Sequence, residues 1–155
     1  MATVRFHAVL LALVLVLAGC SGGGREQFSK AEYEETVRTA YADVQEAFRQ
    51  TNVDDVSELA PRIEDAQDQL RDAAGELEDV DPPDEVEAEN AQIAEAMRAY
   101  ADDLDGLLEA AERGDTIAVA EFSSRVATND AVVAMMEAAE RLKFKGYDVG
   151  DIAEE

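Results

Sequence analysis

VEAENAQIAEAMRAYADDLDGLLEAAERG, residues 86–114, carries the clearest structural signal in this chain. Its apolar residues recur every three or four positions, the spacing that returns side chains to one face of an α-helix. Asn90 occupies the one polar position of that face, and Gly114 follows Arg113 as a glycine typical of a helix end. The stripe consists of Val86, Ile93, Met97, Tyr100, Leu104, Leu107 and Ala111. The stretch therefore predicts a helix over residues 83–113 with one buried face.

Two segments that precede this helix repeat its periodicity. Residues 28–50 begin with Ser29 and Glu32, which have the spacing of a capping box. Residues 53–79 contain Pro61, which removes a helical hydrogen bond, so we expect a kink or a fresh helix start near Ala60. The first stripe consists of Tyr33, Val37, Tyr41, Val44 and Phe48, and the second of Val56, Leu59, Ile63, Ala66, Leu70, Ala73 and Leu77.

A fourth helical segment is predicted over residues 115–145. Asp115 can cap its start, and Gly146 can end it in a Schellman motif that brings Tyr147 against Leu142. Asn129 lies on the predicted apolar stripe of this helix. The apolar members of the stripe are Val119, Phe122, Val126, Val133, Met136 and Leu142.

The connections between these segments are short, and short connections favour antiparallel neighbours. No stretch alternates apolar and polar residues at the period of two that a strand requires. The sequence therefore predicts an all-α protein, an up-and-down antiparallel four-helix bundle with helices at about 28–50, 53–79, 83–113 and 115–145. The alternative is a three-helix bundle with a split second helix. The bundle domain is predicted to span residues 28–147, with an acidic tail at 148–155.

The first residues of the chain, MATVRFHAVLLALVLVLAGC, indicate a route out of the cytoplasm. Arg5 precedes an apolar run from Ala8 to Ala18, which is shorter than the roughly 20 residues that cross a bilayer. This pattern is typical of a signal peptide, here residues 1–19. The alternatives are an ordinary secreted protein or an uncleaved anchor.

The end of this segment, Leu17-Ala18-Gly19-Cys20, resembles the lipobox of bacterial lipoproteins. The resemblance implies cleavage before Cys20 and a diacylglycerol on its sulfur, which would hold the protein at the outer face of the cell membrane. Residues 20–27 would then be the lipidated cysteine and a flexible tether. The mature part also resembles, in pattern and composition, small helical lipoproteins of uncertain function from high-GC Gram-positive bacteria.

The charge of the chain restricts its partners. It has 36 acidic and 13 basic residues and a formal net charge of −23. Nucleic-acid binding requires a basic face and is disfavoured, whereas a soluble monomer is favoured. Because 47% of the residues are hydrophobic, we expect a folded core rather than a disordered acidic chain. A basic protein partner or a divalent cation fits this charge, and a solvated acidic coat or adaptation to salt is the alternative.

Few residues of the chain suit catalysis. The only histidine, His7, lies in the predicted signal peptide, and Cys20 is the only thiol. Serine–histidine and cysteine–histidine sites, histidine zinc sites and di-iron sites of the Glu-x-x-His type are therefore excluded from the mature domain. We expect no catalytic residue, no metal ligand and no cofactor apart from the lipid on Cys20.

Several residues nevertheless deserve a structural test. Asp103, Asp105 and Glu112 match part of a calcium-loop template, but Ala101 occupies its first ligand position, so a helix is expected there. Asn90 and Asn129 either fix helix register or line a polar pocket. A cation would be sought at the acidic connection, near Lys143 and Lys145. The acids of that connection are Asp79, Asp81, Asp84, Glu85, Glu87 and Glu89, and the predicted core-filling methionines are Met97, Met135 and Met136.

These features together favour a non-enzymatic, lipid-anchored binding or interaction module of the cell envelope. The first alternative is a structural spacer or envelope-integrity factor without a defined ligand. The second is a hydrolase built on a pair of carboxylates, because 36 acidic residues make close pairs common.

Overall fold

The computed structural model describes residues 27–50 and 58–150, and these residues are helical with no strand among them. The predicted signal peptide, Cys20 and all of the tether except Gln27 lie outside the described residues, as do residues 51–57 and 151–155. The α-helices are α1 (Lys30–Gln50), α2 (Leu59–Asp79), α3 (Glu87–Glu112), α4 (Thr116–Arg125) and α5 (Asp130–Phe144). A 3₁₀ turn, Asp84–Val86, precedes α3, and a second, Val126–Thr128, separates α4 from α5. The all-α prediction is confirmed for this part of the chain.

Helix α1 begins at the predicted capping box. The backbone N–H of Ser29 donates to Glu32 Oε2 at 2.9 Å, and the backbone N–H of Glu32 donates to Ser29 Oγ at 3.4 Å. The Ser29 hydroxyl also donates to Glu32 Oε2 at 2.6 Å. Hydrogen bonds from the side chain and backbone of Ser29 lower the pKa of Glu32. The first turn of α1 is therefore fixed by local chemistry that is readable in the sequence.

Helix α2 begins at Leu59, which places Pro61 in its first turn. The first N–H groups of a helix have no intrahelical acceptor, so a proline there removes no hydrogen bond. The predicted helix start near Ala60 is thus confirmed. The earlier part of the predicted second helix, residues 53–57, lies outside the described residues.

The predicted fourth helix is interrupted, and its prediction as one continuous helix is wrong. Asn129 leaves the helical conformation (φ −66°, ψ 132°) and caps α5, its side-chain oxygen accepting from Ala131 N at 2.9 Å and Val132 N at 3.2 Å. A cap of this kind starts a new helix, so the apolar stripe does not continue in phase across the break. Val133 and Met136 are consequently exposed, contrary to the predicted stripe. The buried residues of α5 are Ala131, Met135, Ala138, Ala139 and Leu142.

Helix α3 occupies the centre of the fold, because it contacts α2, α4 and α5, while α1 contacts α2. Its predicted stripe residues are buried, and Asn90 is buried among them. Helix α4, in contrast, has no buried residue and packs on α3 only through partly buried side chains such as Val119 and Phe122. The core is therefore built by α1, α2, α3 and α5.

Helices α3 and α5 end at the glycines that the sequence predicts, Gly114 and Gly146. After α5, Gly146 has a positive φ of 84°, its N–H donates to Lys143 O at 2.9 Å, and Tyr147 N donates to Leu142 O at 3.0 Å. These are the two hydrogen bonds of a Schellman motif. The chain then turns back, and Tyr147 and Val149 are buried in the core. The core thus includes side chains of the segment that follows α5, at least to Val149.

Candidate functional site

The start of the described chain, the connection between α2 and α3, and the segment after α5 lie together at one end of the molecule. Phe28 N donates to Asp81 O at 2.8 Å, and Gln27 Nε2 donates to Asp84 Oδ1 at 2.7 Å. Lys30 Nζ donates to Gly146 O at 2.6 Å. We call residues 27–30, 80–89 and 144–150 the tether end. Hydrogen bonds thus join these three segments directly.

A buried carboxylate is the electrostatic centre of the tether end. The side chain of Glu89 is only 7% exposed, and its Oε2 accepts from Lys145 Nζ at 2.7 Å. Arg141 Nε lies 3.6 Å from Glu89 Oε1, and Lys145 also donates to Glu85 O at 2.5 Å. Burial alone opposes ionisation of Glu89, but the hydrogen bond from Lys145, a backbone hydrogen bond and the two nearby cations together lower its pKa. The carboxylate is therefore held in its charged form.

Two tyrosines cover this centre. The rings of Tyr33 and Tyr147 meet edge to face, with centroids 5.7 Å apart, and Lys30 Nζ lies 4.8 Å from the centroid of the Tyr147 ring. The Tyr147 hydroxyl donates to Glu85 Oε1 at 2.8 Å. Burial, followed by this hydrogen bond and nearby carboxylates, raises the pKa of Tyr147 to about 12. The Tyr33 hydroxyl is buried, has no hydrogen-bond partner among the described residues, and has a raised pKa because of burial.

The acidic connection behaves as a partly neutralised cluster. Lys145 neutralises the carboxylate of Glu89 and also donates to the backbone oxygen of Glu85, while Asp84 accepts a hydrogen bond from the uncharged amide of Gln27. Glu87 is exposed. Within residues 27–50 and 58–150, no three carboxylates, thiols or imidazoles are grouped so that they could hold a metal ion.

The two asparagines have different roles. Asn90 Nδ2 donates to Leu77 O at 2.7 Å, which fixes the end of α2 against the start of α3 and fits a register role. Its Oδ1 is buried without a partner among the described residues. Asn129 is not part of a helix stripe: it caps α5 and donates to Asp103 Oδ2 at 2.8 Å. The placement of Asn129 on an apolar helix face is therefore corrected.

The segment that partly matches a calcium-loop template is helical. Asp103, Asp105 and Glu112 all lie within this helix, as expected. Asp105 Oδ1 accepts from Gln67 Nε2 at 2.7 Å, and the same amide donates to Ala101 O at 2.8 Å. Asp105 and Ala101 therefore join α3 to Gln67 of α2, and the segment does not form a ligand loop.

Two neighbouring cavities lie where α4 crosses α3. The larger, of about 460 Å³, is lined among others by Asp103, Gly106, Phe122, Arg125, Asn129 and Asp130. The smaller, of about 250 Å³, is mostly apolar and includes Phe48, Leu59, Tyr100, Leu107, Val119 and Phe122 in its lining. Asn129 thus lines a cavity. The linings offer carboxylates, hydroxyls, an amide and a guanidinium, side chains that can bind a polar ligand.

Glutamate–arginine pairs at four-residue spacing stabilise several helix surfaces. The pairs Glu58–Arg62, Glu109–Arg113 and Glu137–Arg141 form, with N–O distances of 3.7, 3.4 and 3.8 Å. Arg38 instead pairs with Glu35 and Asp148, and Arg125 donates to the backbone oxygen of Glu121. Arginine is therefore used here to join neighbouring segments as well as to stabilise single helices.

A row of carboxylates on α2 was not singled out by the sequence reasoning. Glu64, Asp68, Asp72 and Glu76 are all exposed and follow one another at four-residue spacing. We call these four residues the α2 acidic stripe; it covers about 18 Å of helix. The spacing itself is the signal that could have found it.

The arginines of α2 do not neutralise this stripe, because each contacts a carboxylate outside it. Arg62 Nη2 lies 3.7 Å from Glu58 Oε2, at the start of the helix. Arg71 Nη2 lies 3.2 Å from Asp102 Oδ1, on α3. The stripe is therefore a negative surface with its nearest α2 guanidinium groups already paired.

None of the helices within residues 27–50 and 58–150 combines the length and apolar character needed to cross a bilayer. No protein-family model matches the chain, and neither does any curated protein or solved structure.

Proposed function

We propose that this chain is a lipid-anchored, extracytoplasmic helical module that binds a basic partner without catalysis. The observation that carries the binding part is the α2 acidic stripe, an exposed row of like charges on a helix whose two arginines pair with carboxylates outside the stripe. The lipobox-like Leu17-Ala18-Gly19-Cys20 supports the anchored part. The α4 crossing and its cavities offer a second, more apolar surface on the same molecule.

The proposed architecture is an antiparallel up-and-down bundle of α1, α2, α3 and α5. The start of α1 is bonded to the connection that follows α2, through Phe28 and Asp81. The end of α5 is bonded to the start of α3, through Lys145 and Glu89. Helices α1 and α5 also meet, since the buried hydroxyl of Tyr41 donates to Met135 O at 2.9 Å. These contacts support neighbours that run in opposite directions.

The anchor sets the orientation of this bundle. Seven residue steps separate Cys20 from Gln27, so the lipidated residue can lie at most about 25 Å from the first described residue. A span this short keeps the tether end towards the membrane. Helix α2 then extends away from the lipid surface, and its acidic stripe faces the surrounding envelope.

Replacement of Cys20 by alanine tests the anchor. We expect the Cys20→Ala protein to move from the membrane fraction to the soluble fraction, because a diacyl anchor holds a protein stably and its loss removes that affinity. Fractionation of cells that produce the full chain, followed by detection of the protein in each fraction, measures this. Cys20→Ala protein that stays with the membrane would contradict the proposal.

The acidic stripe is unfavourable for an isolated helix. Three consecutive like-charge pairs at four-residue spacing each destabilise a helix by about 0.2–0.5 kcal/mol. A row of opposite charges at the same positions would stabilise α2 instead. A basic partner would complement these four exposed carboxylates and offset their mutual repulsion.

Neutralisation of the stripe should therefore separate binding from stability. The variant Glu64→Gln, Asp68→Asn, Asp72→Asn and Glu76→Gln should bind a synthetic polylysine peptide about tenfold more weakly. Because the repulsion is removed, its melting temperature should rise by roughly 3–6 °C. Binding is measured by titration calorimetry, and stability by thermal unfolding monitored by circular dichroism.

A matched control makes this test specific. The exposed residues Glu95, Glu112, Glu121 and Glu140, changed together to glutamine, alter the net charge equally but lie on three other helices. We expect this control variant to retain most of its affinity for polylysine. In live cells, chemical cross-linking should capture the same basic partner with this variant as with the wild type. Equal losses in both variants would contradict a local site and favour a spacer with a uniform acidic coat. Calcium could also raise the melting temperature more than sodium does at the same ionic strength. If only the stripe variant lost this extra stabilisation, the ligand of the stripe would be a cation instead of a basic protein.

A further inference from the structure

Phe144 is the most exposed large apolar residue of the described chain, with 94% of its surface open to solvent. Its exposure follows from helix geometry. The buried face of α5 ends with Leu142, and two residues further along a helix the side chain has rotated by about 200°, to the opposite face. The Schellman turn at Gly146 then carries the chain back towards α1, so that the backbone folds inward and the ring of Phe144 stays outside.

Phe144 also lies at the end of the molecule from which the proposed anchor extends. It belongs to the tether end, since Gly146, two residues later, accepts a hydrogen bond from Lys30 at the start of α1. Its neighbour Lys145 is bonded to Glu89 at the start of α3. Gln27, the first described residue, donates to Asp84 at this end, and Cys20 is seven residues before it in the sequence. An exposed aromatic ring thus lies at the same end as the residue that follows the proposed anchor and tether.

We propose that Phe144 contacts the lipid surface that carries the anchor and acts as a second, non-covalent attachment point. This inference rests on the proposed lipid anchor. Aromatic side chains are enriched at the level of the lipid headgroups, where an apolar ring reaches the acyl boundary. A single phenylalanine binds a bilayer weakly by itself, but a short tether makes the contact intramolecular and raises its effective concentration.

The charges around Phe144 set the depth of this contact. Asp84, Glu85 and Glu87 are exposed at the same end, Lys143 is exposed beside Phe144, and Lys145 donates to the Glu85 backbone oxygen and the Glu89 carboxylate. Carboxylates resist transfer into the headgroup region, so the ring enters only shallowly. Attachment at two points also restricts the tilt of the bundle relative to the membrane, which one flexible tether cannot do.

The sequence provides a clean probe, because the chain contains no tryptophan. The variant Phe144→Trp carries a single indole at the proposed contact. The matched control, Ile117→Trp, carries it at a 72% exposed apolar residue of α4, just after the end of α3 that lies opposite the tether end. Each full-length lipidated protein is reconstituted into phosphatidylcholine vesicles that contain nitroxide-labelled phosphatidylcholine, and tryptophan emission is recorded.

We expect the emission of Phe144→Trp to shift to the blue on vesicles and to be quenched by the nitroxide lipid about twofold or more beyond the Ile117→Trp control, since the ring lies in the headgroup layer. Both variants replace exposed residues, so both should fold. Equal quenching of the two, with acrylamide reaching both indoles as freely as in detergent solution, would overturn the contact while leaving the anchor intact. Failure of the wild-type protein to fractionate with membranes would instead overturn the anchor and, with it, this inference.

Discussion

Replacement of Leu142 by alanine will lower the free energy of unfolding by about 2–5 kcal/mol. The side chain is fully buried in the core, in the last turn of α5, where it faces side chains of several helices. The loss includes the transfer free energy of the removed carbon atoms and the free energy of the cavity that they leave. A domain of this size is stabilised by only about 5–15 kcal/mol in total, so a large share of its stability depends on this residue.

The measurement is urea denaturation, in which the midpoint falls while the slope stays unchanged. The control is Phe144→Ala, which removes a larger side chain two residues away in the same helix. Because that ring is exposed, its removal should change stability by less than about 0.5 kcal/mol. Equal effects of the two substitutions would contradict the packing of α5 against the core.

Replacement of Lys145 by methionine has the second largest expected effect. It leaves the Glu89 carboxylate, 7% exposed, with Arg141 at 3.6 Å as its nearest described cation. A buried carboxylate that loses a charged hydrogen-bond donor is destabilised by about 1–3 kcal/mol. The double variant Glu89→Gln with Lys145→Met should recover part of this loss, because no carboxylate is then left without its donor. Additive losses in the double-mutant cycle would contradict the coupling of this pair.

The same pair gives a pH dependence with a defined sign. The folded-state pKa of Glu89 is lowered from its ordinary value of 4.5, so the folded protein binds this proton less readily than the unfolded chain does. The stabilisation that Glu89 contributes is therefore complete above 4.5 and is lost as the pH falls through the lowered pKa. The stability difference between wild type and Glu89→Gln should be largest near neutrality and vanish in acid. A difference that is constant with pH would contradict this sign.

Much of the helical organisation follows from signals within one or two helical turns. Ser29 and Glu32 cap α1, Asp115 accepts from Ala118 N at the start of α4, and Gly146 ends α5, all as the sequence indicates. Each of these signals joins residues no more than five apart. Their chemistry does not depend on what packs around them, so they can be read without the rest of the fold.

The break before α5 is not predicted because the sequence around it fits either one continuous helix or two. The apolar residues of 115–145 can be placed on one stripe, and an asparagine such as Asn129 occurs both on helix faces and at helix starts. Its bond to Asp103 on α3, 26 residues away, helps to fix the choice, and such a contact is invisible to local periodicity. The exposure of Val133 and Met136 follows from that one interruption.

The sequence indicates which segments form the tether end but not which of their side chains are buried. Short connections already place Lys145 beside the acidic connection. Which of six carboxylates faces inward depends on the rotational phase of α3, which only packing determines, and the answer is Glu89. The pairing of Tyr33 with Tyr147 depends on the chain folding back after Gly146, a long-range event that no residue spacing reports.

The hydrogen bonds at the start of α1 have a mechanical consequence. With a lipid at Cys20, any pull between the membrane and a bound partner enters the domain at Gln27. The load then passes through the bonds of Gln27 to Asp84, Phe28 to Asp81 and Lys30 to Gly146 before it reaches α1 itself. These bonds distribute tension over the α2–α3 connection and the C-terminal segment together. The force is therefore shared among three segments, and α1 is not pulled away from the bundle alone.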